Sequence, residues 1–381
     1  MNARDLLAAI VLYGVSSLVV YAGYLYSGNP NPPDVSFHFD GGHYLSIAEH
    51  GYDYDPGRAS NVAFFPGYPL LGRAVAEVSG LSLRAGLFLV SQVALLAAFA
   101  CFSATLRTRP AVRWPALLAL ALWPPGICFH VGYSESLLLA TLALLMLGFA
   151  RNWPPIALAV IAGAATGIRA VGVAASVAVL VHILMTADRH RLVKAAAFAP
   201  LACWGLLAFM SYQAVQLGEP FAFLHTQRHW AAYEPEHRGP LDKALRLAIA
   251  EPIWNSYVPG SARHWSRFND DDNLLLGSAF WNPILFALAA LLMTLGWHRR
   301  WLSRDETILG MGLLLIPYAT RADEQSMLSH ARFAAVVLPM YIVLGELLIR
   351  VPLLVRLLSF AVLAAALGLW SALFAANAPL L

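Results

Sequence analysis

The sequence predicts an all-α, polytopic membrane protein, a single transmembrane domain over 1–381 that crosses the bilayer about 11 times. Three observations carry that expectation. Of its 381 residues, 59% are hydrophobic and 12% charged, about half the charge that a soluble chain of this length carries. Apolar runs of about 18 residues recur from one end of the chain to the other, the length a helix needs to span hydrocarbon. The charges also sort by sign: short loops carry arginine, and two long polar loops carry most of the acids.

In order, the spans fall at 6–26, 84–106, 113–130, 133–150, 154–168, 170–186, 194–217, 274–297, 305–320, 333–350 and 354–377. The first run holds Arg4 and Asp5 and shows no small-residue cleavage signal, so it reads as an uncleaved span. One set of loops carries Arg107, Arg109 and Arg113, then Arg151, then Arg189, Arg191 and Lys194, then Arg299, Arg300 and Arg304, then Arg350 and Arg356. The positive-inside rule makes that side cytoplasmic, with the N-terminus on it. Arg151 and the Arg189 cluster both belong there, which requires an even number of crossings between them. Residues 154–186 therefore read as two short helices turning at Thr166 to Arg169; one long helix would strand Arg169 at mid-membrane.

The opposite face holds the long loops 27–83 and 218–273. In the second, Leu241, Leu245, Leu247 and Ile249 alternate with Lys243, Arg246 and Glu251, the pattern of an amphipathic helix over Leu241–Trp254 at the membrane surface. Asp270 to Asp272 reads as a solvated acidic turn, because three adjacent acids do not converge on one metal. Cys101, Cys128 and Cys203 each lie inside an apolar run and suggest neither a disulfide framework nor a metal site. No metal or cofactor is expected. A net charge of +3 does not point to a nucleic-acid partner.

The chemistry concentrates in the first long loop. Asp40 stands there between aromatic residues and a glycine pair, with His43, Tyr44, Glu49 and His50 at roughly helical offsets, so one helical face could gather proton-handling groups beside one carboxylate. His38, Tyr52, Tyr54, Arg58, Phe64, Phe65 and Tyr68 share the loop. Rings stack on apolar sugar faces while acids and histidines meet hydroxyls, so the mixture suits sugar recognition. A carboxylate at a semi-apolar surface also suits a base that takes a hydroxyl proton; a plain helix N-cap is the simpler reading. Arg169 and Arg332 each end a span on the outer side, where a guanidinium can snorkel to the interface or grip a phosphate bidentately, with His330 assisting. Glu135 lies in the outward turn Gly132–Ser136, and Gln227 and His229 open the second loop. No P-loop, dinucleotide fingerprint, nucleophile elbow or metalloprotease helix is present, which leaves cytoplasmic nucleotide-sugar chemistry unsupported and favours a donor embedded in the bilayer.

Phe39-Asp40 followed by Tyr44 to Ala48, Gly51-Tyr52 and Ala63 to Pro69, then Tyr133 to Leu137, Ala165 to Gly172 and Ser329 to Pro339, together resemble in order the motifs of the PIG-V-type mannosyltransferases, a branch of the GT-C glycosyltransferases. Phe39 stands where that pattern has tryptophan and Phe333 where it has tyrosine; both keep a ring. The resemblance implies a GT-C-like fold with an extracytoplasmic site in a bacterial plasma membrane. It implies a polyprenyl-phosphate sugar donor, mannose in that family, and inverting transfer to a hydroxyl acceptor on a glycolipid, glycan or protein. Asp40 is then the general base and Arg169 and Arg332 hold the departing phosphate, while His43, Tyr44, Tyr68, Glu135, Gln227 and His229 touch or brace the substrates. Two other classes use similar features: a flippase of lipid-linked sugars, which tends to show inverted repeats that are not evident here, and a non-catalytic assembly subunit.

Overall fold

The computed structural model describes residues 2–29, 31–186, 190–231, 239–268 and 276–378, and every regular element among them is helical. The chain opens with α1 (Ala3–Tyr26), whose start is fixed by a reciprocal cap between Asn2 and Asp5. The first loop folds into the single-turn α2 (Pro32–Val35), α3 (Asp40–His50) and α4 (Gly67–Ser79). Then follow α5 (Leu83–Thr105), α6 (Pro110–Ala121), α7 (Glu135–Ala150), α8 (Pro155–Ile168), α9 (Val173–Thr186), α10 (Arg191–Ala202) and α11 (Trp204–Leu217). The second loop carries α12 (Ala222–His225), α13 (Pro240–Ala248) and α14 (Glu251–Trp254). The chain continues through α15 (Ser278–His298), α16 (Arg304–Gln325), α17 (His330–Ala335), α18 (Leu338–Leu348) and α19 (Leu353–Ala375).

All eleven expected apolar segments fold as helix, but their lengths differ from the expectation. Among the described residues four helices are long and apolar enough to cross a membrane, α1, α5, α15 and α19, and α10 with α11 makes a fifth if their 53° bend is taken within one span. The segments at α7, α8, α9 and α18 form shorter apolar helices. Breaks account for much of the difference: α6 stops before Pro124, and Pro200 lies just before the bend between α10 and α11, while α8 stops at Arg169 as expected. Proline removes a backbone donor and crowds the preceding turn, which hydropathy does not register.

The core lies where α5 packs on α7, α1 packs on α19 and α5, and α8 packs against α9, α10 and α11. At the arginine-rich end, the fully enclosed Asp5 carboxylate accepts from Arg107 and, at 3.1 Å, from Arg113. Arg109 donates to Glu306 at 2.9 Å beside them. Elsewhere α3 packs on α4, α4 on α5, α13 on α14 and α16, and the buried α17 on α15 and α16.

The amphipathic helix expected over Leu241–Trp254 is split in two at Ala250, which turns left-handed at φ 55°. Leu241, Leu245 and Ile249 stand exposed along one side, while Lys243 reaches inward to Glu324 at 2.7 Å. The acidic turn at Asp270 to Asp272 and Arg189 of the cytoplasmic cluster lie outside the described residues.

Candidate active site

Asp40 is the first residue of α3, and the residue before it is strained. Phe39 sits at φ 50°, ψ −121°, a region that costs a side-chain-bearing residue about 1–3 kcal/mol. The following turn is pressed against the chain: a Cβ on Gly41 would lie 2.6 Å from the Ser36 carbonyl oxygen, so only glycine fits there. The same carbonyl accepts from the Gly132 backbone N–H at 2.9 Å. That bond joins the first loop to the Gly132–Ser136 turn and brings Asp40 beside the start of α7.

Four charged side chains then meet. Asp40 Oδ2 accepts from Arg332 Nη1 at 2.6 Å. Glu135 Oε1 accepts from Arg169 Nη1 at 2.5 Å and lies 3.3 Å from Arg332 Nε. Ser134 Oγ lies 3.2 Å from Arg169 Nη1 and 2.7 Å from the Tyr44 hydroxyl. Burial pushes the Tyr44 phenol up to about 12, so it remains a neutral hydrogen-bonding group at physiological pH. The Phe333 ring centre is 5.5 Å from each guanidinium, and Tyr133 lies 5.4 Å from Arg332, aromatic faces that favour cations. Asp40 and Glu135 match the two guanidinium charges, which makes their burial tolerable.

Local chain breaks aim both arginines. Arg169 is extended between α8 and a 3-10 turn, Ala170–Gly172. A Cβ on Gly172 would meet the Ala165 carbonyl at 2.1 Å, so the reversal requires glycine. Arg332 lies in the six-residue α17, which is preceded by Ser326, Met327 and Ser329 at φ 48°, 64° and 65°. Backbone strain thus flanks the Asp40–Arg332 pair on both of its chain segments.

The pair borders a cavity of about 1230 Å³ lined by Asp40, Tyr44, Arg169, Arg332, Gln227 and His229 of the residues singled out in the sequence. The other four stand behind its wall. His43 stacks on Phe64 at 4.7 Å and meets Trp230 edge-on at 5.1 Å. Tyr68 is fully buried, its hydroxyl donating to the Leu87 carbonyl at 2.8 Å and its ring bracing Tyr44. Glu135 holds the arginines from beneath. His330, expected beside a phosphate, is instead enclosed between Phe286 and Phe333, with Nδ1 3.2 Å from the Leu328 carbonyl oxygen. Residues two apart on a helix point to nearly opposite sides, so Arg332 facing the cavity turns His330 away. The wall also includes Trp230, Lys243 and Arg321, which the sequence reading left unassigned. Arg321 and Glu324 sit three residues apart at the C-terminal end of α16, and that spacing was the available signal. Among the described residues no three His, Cys, Asp or Glu side chains converge as metal ligands.

No family model matches the chain. It is 30% identical over 243 residues to the GPI alpha-1,6-mannosyltransferase 2 of Cricetulus griseus, covering 58% of this chain and 47% of that one. To the protein of the same name from Homo sapiens it is 31% identical over 242 residues, covering 57% and 47%. The chain spans about half the length of the curated relatives it matches. Among solved structures it is similar to ArnT from Cupriavidus metallidurans bound to undecaprenyl phosphate, with TM-score 0.51 and 17% identity over 93% of this chain and 63% of that one. It is also similar to the Archaeoglobus fulgidus oligosaccharyltransferase in complex with Zn and sulfate, with TM-score 0.51 and 15% identity over 97% and 53%. The all-helical fold is shared with these two structures. The resemblance to PIG-V-type mannosyltransferases read from the motifs is met by these relatives, and the protein is an integral membrane protein.

Proposed function

We propose that this protein is an inverting membrane glycosyltransferase that moves a sugar, mannose by its relatives, from a polyprenyl phosphate to a hydroxyl acceptor at the extracytoplasmic face. The observation that carries the reading is the Asp40 carboxylate, paired at 2.6 Å with Arg332 and opening on a large cavity beside Arg169. A base and two phosphate-binding cations stand within one site. The relatives named as mannosyltransferases and the neighbour bound to undecaprenyl phosphate support the same donor class.

The donor phosphate lodges against Arg169 and Arg332, whose donors match its oxygens. The acceptor oxygen attacks the anomeric carbon from the side opposite the phosphate. As that bond forms, the carbon–oxygen bond to phosphate breaks, the polyprenyl phosphate leaves with the electron pair, and Asp40 takes the hydroxyl proton. The guanidiniums then stabilise charge that grows on the phosphate during the reaction, more than they stabilise the bound donor. Arg332 serves both partners in turn, since the hydrogen bond it gives Asp40 is displaced as phosphate claims its donors. Glu135 keeps both arginines aimed throughout.

The test is transfer by the purified protein from polyprenyl-phosphate mannose to a panel of acceptors, with Asp40→Asn beside the wild type. The variant is expected to lose about 10²–10⁴-fold in turnover, the range for removing a general base, while still binding donor. Equal turnover in the two would remove Asp40 from the reaction.

A further inference from the structure

Resting on that reading, we infer that the cavity holds a second anion subsite, centred on Arg321, that takes a phosphate-class oxyanion carried by the acceptor. The charge inventory of the wall leads there. Arg332 is matched by Asp40 and Arg169 by Glu135. Lys243 is matched by Glu324 at 2.7 Å, and the exposed Arg228 donates to the Pro56 carbonyl at 2.9 Å. Arg321 differs from all of these. It is half-buried on the cavity wall, and its partner is the neutral amide oxygen of Gln227. Among the described residues it meets no carboxylate, since Glu324, one turn along the same helix, is committed to Lys243.

Glu324 and Asp40 act on it only from beyond ion-pair contact, and a half-buried guanidinium with no carboxylate in contact gains from a ligand that supplies one. Its planar donors fit a phosphate or similar oxyanion bidentately. Gln227 can turn its amide toward the same ligand.

Two features assign that anion to the acceptor. First, the volume of about 1230 Å³ exceeds the roughly 300–1,000 Å³ of a pocket for one small molecule, so donor and acceptor have room together. Second, Arg321 bonds to Gln227, and Arg228, His229 and Trp230 of the same polar second loop line the same cavity. Amide, imidazole and indole groups of that kind suit a sugar bearing hydroxyls and a charge. The alternative source of a second oxyanion is the donor itself, were it a diphosphate.

The test uses octyl mannoside and its phosphate monoester as a matched pair, with binding read from quenching of tryptophan fluorescence. Titrations are made on the full chain in detergent, with and without saturating undecaprenyl phosphate. The wild type is expected to bind the phosphorylated probe about tenfold or more tightly than the neutral one, a difference of about 1.4 kcal/mol, with undecaprenyl phosphate present. Arg321→Gln is expected to lose the preference and Arg321→Lys to keep it, while both still bind undecaprenyl phosphate, which shows them folded. Equal binding of the two probes by the wild type overturns the subsite, as does a preference that survives Arg321→Gln. A preference abolished by saturating undecaprenyl phosphate, or loss of undecaprenyl phosphate binding in Arg321→Gln alone, gives Arg321 to the donor and overturns the acceptor assignment. Failure of the transferase reading shows separately, as absence of transfer from polyprenyl-phosphate mannose by the wild type with these binding results unchanged.

Discussion

Two clusters of buried acid and arginine stand at opposite ends of this bundle, built from the same residue types and put to different use. At the arginine-rich end, Asp5 lies under Arg107 and Arg113, with the Ser103 hydroxyl between them. Both of its oxygens are occupied, its helix begins in regular geometry, and its side chain is fully enclosed. At the other end, Asp40, Glu135, Arg169 and Arg332 make the same kind of pairs, yet one side opens on the large cavity and left-handed residues flank the Asp40–Arg332 pair. Enclosed pairs between regular helices fasten α1 to α5 and α6. Open pairs on broken helices leave a carboxylate and two cations with a face free for substrate.

Matched isosteric changes sharpen that contrast, and the largest stability effect belongs to the enclosed cluster. Asp5→Asn keeps the shape but leaves Arg107 and Arg113 facing each other without a charge between them. Removing one partner of a buried pair costs about 3–5 kcal/mol, and the partial exposure of both arginines puts this variant at the lower end, about 3 kcal/mol. Unfolding in detergent should show the loss, with turnover per folded molecule unchanged. Asp40→Asn should show the reverse, because Glu135 still lies beside Arg332. If Asp5→Asn unfolds like the wild type, the enclosed cluster is not a fastening and the contrast fails.

Glu135 is the test in between, since it is as buried as Asp5 but serves the open cluster. As a positioning residue, it acts through Arg169 and Arg332. Glu135→Gln should leave the donor KM level or lower, because two less-neutralised guanidiniums still attract phosphate. It should reduce kcat by about 10–100-fold, or 1.4–2.8 kcal/mol of barrier, because the arginines are no longer held in line and grip the ground-state phosphate and Asp40 more tightly. Kinetics that separate the two constants decide it; an unchanged kcat would make Glu135 a packing residue like Asp5.

How much of this was legible varied with the range of the interaction involved. Helices were legible because apolar runs are local, and the Arg169 turn was legible because charge on both sides of 154–186 constrained it. Asp40, Arg169 and Arg332 stood out as polar groups in an apolar chain. That Arg332 bonds directly to Asp40 was not legible, because 292 residues separate them and only tertiary packing joins them. The burial of His330 depends on which face of a six-residue helix meets the core. Arg107 and Arg113 read as topology signals, and their pairing with Asp5 depends on α1 lying against α5, which hydropathy does not encode. The expected spans 113–130 and 333–350 run through breaks, at Pro124 and at Val337, because a hydropathy window does not register them, whereas α1, α5 and α16 are as long as expected or longer.

The smallest expected effect probes how dry the edge of the open cluster is. His43 lies one turn after Asp40 and is packed between Phe64 and Trp230. Burial lowers its pKa from the ordinary 6.5, and the Asp40 carboxylate pulls the other way without cancelling it. Because the folded ring resists the proton, the unfolded chain takes it up first as pH falls. The penalty is therefore absent above about pH 6.5, grows below it, and levels off once the folded ring is also protonated. His43→Phe keeps an aromatic ring in the stack and has no proton to gain, so its stability should fall less than the wild type's between pH 7.5 and 5. Asp40→Asn should fall more than the wild type over the same interval, since the carboxylate that favours the charged ring is gone. Denaturant titrations of the three proteins at both pH values read this directly. Identical slopes would mean that His43 is as wet as an ordinary surface histidine, and that the wall beside Asp40 is open to water rather than sealed by its aromatic rings.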